Sequence, residues 1–149
     1  MDSPTLHASC VSVGGRGVLI RGASGAGKSH LAFALILAGG SGRVPPTELV
    51  ADDRVHVNAL DGRLVATAPH ALAGLIEIRG AGLRRLPHVA EVSLHLVVDL
   101  DAPDAARLPA PEACRCVISG IELARLPVLR AGDALQQVLA CLLTDPAPG

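Results

Sequence analysis

An α/β fold built on a mixed sheet is predicted by three features of the sequence. A continuous apolar strand, Val18-Leu19-Ile20, runs through a glycine-rich turn into a helical stretch. Asp61-Gly62 separates two short β-like runs, the signature of an antiparallel hairpin. Short strands outnumber helices and hairpins stand beside a strand–loop–helix unit, so parallel and antiparallel pairs share the sheet.

The elements follow in order. Residues 10–13 read as a short strand, and Gly14-Gly15-Arg16-Gly17 as a turn into the buried strand at 18–20. Residues 28–37 read as a helix, because Leu31, Ala34 and Leu35 share one face and Gly39-Gly40 supplies a stop. Residues 39–47 are rich in Gly and Pro and read as a loop. A strand at 48–51 ends on Asp52-Asp53, and runs at 55–59 and 63–66 form the hairpin. Residues 75–79 are a further strand, followed by Gly80-Ala81-Gly82. The apolar, β-branched run at 94–100 reads as a central strand. Residues 101–111 form a Pro- and Ala-rich loop, residues 116–118 a short strand, and residues 134–143 a helix of good helix formers. A frayed tail is expected at 145–149. The chain shows no internal repeat or linker, so residues 1–149 read as one domain.

Composition excludes several classes. Half of the 149 residues are hydrophobic, enough for a real core, yet there is one Phe and no Tyr or Trp. Base stacking on aromatic rings is therefore absent as a recognition device, which argues against single-stranded nucleic-acid binding. A net charge of −1 gives no field toward nucleic acid or anionic membrane. Cys10, Cys114, Cys116 and Cys141 form no CxxC pair and read as reduced thiols, which fits a cytoplasmic location. Met1-Asp2-Ser3-Pro4 lacks the basic start of a signal peptide, and no apolar run approaches the roughly 20 residues of a membrane helix.

The strongest chemical signal is Gly22-Ala23-Ser24-Gly25-Ala26-Gly27-Lys28-Ser29, which satisfies GxxxxGK[ST] in full and lies between a buried strand and a helix. Glycines let successive amides turn inward around an anion, and the helix N-terminus adds its positive end. Lys28 sets a full charge against β and γ phosphates, and the Ser29 hydroxyl suits Mg²⁺. The motif predicts nucleotide phosphate binding without choosing between hydrolysis, small-molecule phosphorylation and protein phosphorylation. An acid must help hold Mg²⁺, and a carboxylate must accept the proton of an attacking hydroxyl. Asp52, Asp53 and Glu77 are the candidates, and residue chemistry leaves the choice among them open.

Three segments together resemble one family. These are the stretch from His7 through the octet, Leu49-Val50-Ala51-Asp52-Asp53-Arg54-Val55, and Leu75-Ile76-Glu77-Ile78-Arg79-Gly80-Ala81-Gly82. The set resembles the catalytic domain of HPr kinase/phosphorylase, in the shortened form without the family's N-terminal domain that occurs in some proteobacteria. The resemblance implies a phosphoenolpyruvate-carboxykinase-like P-loop fold. It also implies ATP and Mg²⁺ as cofactors, a serine of the phosphotransferase carrier HPr as target, and a hexamer. It gives Lys28 the phosphates, Ser29 and Glu77 the Mg²⁺, and Asp52 the proton of the target serine with His7 working beside it. Arg107 matches a family arginine that stabilises transferring charge. A later family loop, tied to dephosphorylation with inorganic phosphate, corresponds to Pro127-Val128-Leu129-Arg130-Ala131-Gly132-Asp133. Asp133 stands there in place of an arginine, which implies a reduced or absent reverse reaction. Two other readings accompany the kinase: a generic P-loop NTPase or small-molecule kinase, and a nucleotide-binding regulatory module.

Overall fold

The computed structural model describes residues 4–130 and 132–147. The expectations for Met1–Ser3, Ala131 and the last two residues lie outside that range. The strands are β1 (Thr5–Leu6), β2 (Ala8–Val13), β3 (Arg16–Arg21), β4 (Thr47–Ala51), β5 (Val55–Leu60), β6 (Arg63–Thr67), β7 (Leu75–Ile78), β8 (Gly82–Arg85), β9 (Glu91–Leu100), β10 (Arg115–Ile118) and β11 (Ile121–Val128). The helices are α1 (Lys28–Gly40) and α2 (Ala134–Leu143).

The main sheet runs β1-β5-β6-β9-β3-β2-β4, with β11 and β10 joined through β9. β9 lies parallel to both β3 and β11, whereas β2–β3, β2–β4, β5–β6 and β6–β9 are antiparallel. The sheet is therefore mixed. β7 and β8 pair separately as a small antiparallel ribbon.

A strand covered on both faces reads as an unbroken apolar run, and β3 is such a strand. Val18 and Ile20 point into a core with Leu31 and Leu35 of α1 and Val138 of α2. Leu19 points the other way, to Cys10, Val50, Leu64 and Val97. The burial of Leu31 and Leu35 accounts for α1 docking, since most helical stability comes from packing one face.

The structure departs from the sequence reading at several points, one being that Arg16 and Gly17, read as turn, belong to β3. α1 passes Leu37 and continues through Gly39 and Gly40. A Cβ on Gly39 would lie 2.7 Å from the Thr47 backbone nitrogen, so glycine here serves close helix–strand approach rather than a stop. β8 was unmarked in the sequence because all four of its residues are exposed and show no apolar alternation. No strand is read from the sequence at 121–128, and the resemblance gives Pro127 to a loop, but β11 extends through it. Pro127 sits opposite Asp99 of β9, and β10 pairs only the Ile121–Ala124 half of β11, so beyond it the second edge of β11 needs no donor.

Candidate functional site

The site forms where β3 and β4 end on the same side of the sheet as the start of α1. Loop 22–27 turns tightly between them. The Ala26 amide donates to the Ala23 carbonyl at 3.0 Å, and Gly25 and Gly27 hold φ of 84° and 103°, where a side chain strains the backbone. A Cβ on Gly22 would meet Leu100 Cβ at 3.2 Å, so the loop packs closely against the end of β9. The first-turn amides of α1 have no intrahelical acceptor, no side chain caps them, and no acidic residue occupies that turn. They form an electropositive concavity. Lys28 is only 6% exposed, and its Nζ donates to the carbonyls of Gly22 and Ala23 at 2.9 and 3.1 Å. These bonds hold the ammonium group over the loop.

The carboxylates come from β4. Its pairing with β2 is irregular: Cys10 faces Ala51 but Val11 faces Leu49, so one residue of β4 is extra. Beyond this bulge the two aspartates diverge. Asp52 is buried, and its Oδ1 accepts from the hydroxyls of Ser9 and Ser29, each at 2.7 Å. Its Oδ2 accepts the backbone amide of Glu77 at 3.1 Å, which ties β7 to β4. Asp53 adopts φ 67° and points outward, where its Oδ1 meets His7 Nε2 at 2.8 Å. Both side chains of that pair are largely exposed, at 61% and 45%.

The resemblance sets His7 beside Asp52; in the structure the His7 side chain bonds Asp53, and Asp52 is turned inward and engaged by two hydroxyls and an amide. Ser29 and Glu77 are brought together with both aspartates. Arg107 is not; it is exposed in the loop after β9 and has no hydrogen-bond or ion-pair partner among the described residues. Ser9 is a site residue that the sequence reading missed. No local signal marks it: Ser9 reaches Asp52 through the register of β2 against β4.

Two clefts meet at these groups. One, of about 470 Å³, is bounded by Ser24, Gly25, Gly27, Lys28 and the side of α1. The other, of about 380 Å³, is bounded by Asp52 and the leucines Leu72, Leu75 and Leu83. Ser29, Asp53 and Glu77 line both. Among the described residues no three His, Cys, Asp or Glu side chains form a metal cage. An ion held chiefly by phosphate oxygens and water needs only one or two protein ligands, and Ser29 and Glu77 supply hard oxygen donors of the required kind.

A charged network braces the base of the loop. Asp99 of β9 accepts two bonds from Arg21, the residue before Gly22, at 2.7 and 2.8 Å, and another from Arg125 Nε. Arg125 also holds Asp104 at 2.8 and 3.1 Å and the Ala113 carbonyl at 2.8 Å, tying down the loop that carries Arg107. Burial pushes the Asp99 carboxyl up, but the bonds from Arg21 and Arg125 outweigh it and hold it below the usual carboxylate range. Asp133 accepts the Gln136 amide at 3.1 Å and caps α2.

The family described as HPr Serine kinase C-terminal domain matches residues 2–101. The chain is 39% identical over 88 residues to the HPr kinase/phosphorylase of Clostridium tetani, a match covering 59% of this chain and 27% of the relative. It is 48% identical over 80 residues to that of Limosilactobacillus reuteri, covering 53% and 23%. The chain thus spans less than a third of the length of either relative. The solved Hpr(Ser) kinase/phosphatase of Coxiella burnetii is similar at a TM-score of 0.73 with 25% identity, covering 91% of both chains. Among the described residues no helix is long and apolar enough to cross a membrane.

Proposed function

Because this chain belongs to the HPr serine kinase C-terminal domain family, we propose that it is an ATP-dependent protein-serine kinase whose acceptor is a serine of HPr or a related carrier. The observation that carries the proposal is the meeting of two clefts at Ser29, Asp53 and Glu77. A phosphoryl group must pass from one bound partner to another, and such a shared wall is what transfer between two reactants requires.

Loop 22–27 is read as a P-loop that receives the triphosphate, with Lys28 and the first amides of α1 against the terminal phosphates. Ser29 and Glu77 would hold Mg²⁺, which supplies charge neutralisation at the phosphates when bound. Asp52, buried and accepting the Ser29 hydroxyl proton, orients that hydroxyl so that its lone pairs face the cleft. Proton acceptance belongs to Asp53 rather than Asp52. A base needs a free oxygen within reach of the acceptor hydroxyl; Asp53 lines both clefts and carries one partner, His7. The serine oxygen attacks the γ phosphorus, its proton passes to the Asp53 carboxylate, and the bond to the leaving diphosphate breaks. Arg107 lines neither cleft, so no step of the transfer is assigned to it.

The test is to incubate the chain with ATP, Mg²⁺ and HPr and to map phosphate on HPr by mass spectrometry. Phosphoserine on HPr is expected. ATP turnover that ignores HPr, with no phosphoserine formed, overturns the proposal in favour of a generic P-loop NTPase. The reverse reaction, from phosphoserine-HPr and inorganic phosphate, is expected to be slower than transfer, because Asp133 presents a carboxylate where the resemblance expects an arginine.

A further inference from the structure

Ser9 is fully buried, yet its hydroxyl touches both members of the aspartate pair. It donates to Asp52 Oδ1 at 2.7 Å and accepts the Asp53 amide at 3.3 Å. A hydroxyl has one proton and two lone pairs, so the two bonds are compatible and fix its orientation. The first bond leaves Asp52 Oδ1 shared between Ser9 and Ser29, at 2.7 Å from each. The second acts on a residue in a costly conformation. Asp53 holds φ 67°, a left-handed backbone that non-glycine residues adopt only when surroundings enforce it. Further bonds surround the same turn: the Ala8 amide donates to the Asp53 carbonyl at 3.2 Å, and the Arg54 amide to the Asp52 carbonyl at 2.8 Å. Neither holds the Asp53 amide itself. That task falls to Ser9.

From this geometry we infer that Ser9 is a positioning residue, whose single hydroxyl couples the metal-side carboxylate of Asp52 to the backbone conformation that aims Asp53 at the acceptor. The inference rests on the kinase reading for its catalytic consequence and on geometry alone for its structural one. Ser9 touches neither nucleotide nor acceptor, since it lines neither cleft. Its effect therefore falls on turnover rather than on nucleotide affinity.

The experiment compares Ser9→Ala and Ser9→Cys with the parent chain. Hydrogen exchange at the Asp53 amide is measured by NMR without nucleotide; a rise of at least about tenfold is expected in Ser9→Ala, because the amide loses its acceptor. Phosphate transfer to HPr is expected to fall about tenfold in kcat with KM for ATP within about twofold. In an Asp53→Asn background the same Ser9→Ala change is expected to cost under about twofold, since the group through which it acts is already disabled. If Ser9→Ala does not fold, Ser9→Cys, close in volume but a weak donor and acceptor, carries the same comparison. Unchanged Asp53 exchange overturns the inference. So does faster exchange with parental kcat, or an undiminished loss in the Asp53→Asn background. A parent chain that transfers nothing to HPr refutes the kinase reading and the catalytic half of this inference with it, while the exchange result still decides the structural half.

Discussion

Asp53→Asn and Asp52→Asn differ by one position and are expected to fail in opposite ways. Asp53 is 61% exposed and its partner is His7, itself 45% exposed, so losing that pair costs less than about 1 kcal/mol of stability. On the proposed role of Asp53 as proton acceptor, transfer is expected to fall about 10²–10⁴-fold, or about 3–5 kcal/mol of barrier, with nucleotide affinity retained. Asp52 is 7% exposed and accepts bonds on both oxygens. An asparagine has one acceptor oxygen. The Glu77 amide cannot rotate, so it claims that oxygen, and the new NH₂ faces the hydroxyls of Ser9 and Ser29. Both hydroxyls must turn to accept, Ser9 must release the Asp53 amide or leave a donor unmet, and about 1–3 kcal/mol of stability is lost. Urea denaturation gives the stability arm. Phosphoserine formation on HPr and titration with a fluorescent ATP analogue give the functional arms. Parental transfer by Asp53→Asn, together with an inactive but fully stable Asp52→Asn, would refute the division of labour between the two carboxylates.

Lys28→Met removes the ammonium group that bonds the Gly22 and Ala23 carbonyls; transfer is expected to be abolished and affinity for the ATP analogue to fall, read by the same titration. Arg125→Met strips Asp99 and Asp104 of a shared partner. Asp99 is depressed in the folded state, so its contribution is present above its unfolded value of about 3.9 and is lost as pH falls through the folded value. With one guanidinium gone its carboxyl rises, and the acid-unfolding midpoint followed by circular dichroism is expected to move to higher pH. Asp133→Ala removes the α2 cap and is expected to cost about 1 kcal/mol in urea denaturation.

What sequence reading captured and missed follows from how local each feature is. β3, loop 22–27 and α1 were legible because composition determines them residue by residue: an apolar run, glycines, then a helical face. The Asp61-Gly62 hairpin and α2 were legible for the same reason, and α2 begins and ends as expected. β11 was not read from the sequence at all, and its Pro127 is tolerated because β10 pairs only the other half of the strand. Which aspartate meets His7 depends on the bulge between β2 and β4, residues some forty apart in sequence. A slip of one residue in that pairing reverses the outward and inward faces, and no local pattern records the register. Ser9 became a site residue through that same register. Arg107 was singled out by resemblance, and it remains apart from the clefts.

The wall shared by the two clefts has an energetic consequence. Ser29, Asp53 and Glu77 line both clefts, so an occupant of one would change the charge and hydration that a molecule in the other meets. Linkage makes that influence mutual: whatever factor the nucleotide imposes on affinity for the acceptor, the acceptor imposes on affinity for the nucleotide. If the two clefts take nucleotide and acceptor as proposed, three side chains in a small domain would link the two binding equilibria, with no moving hinge required.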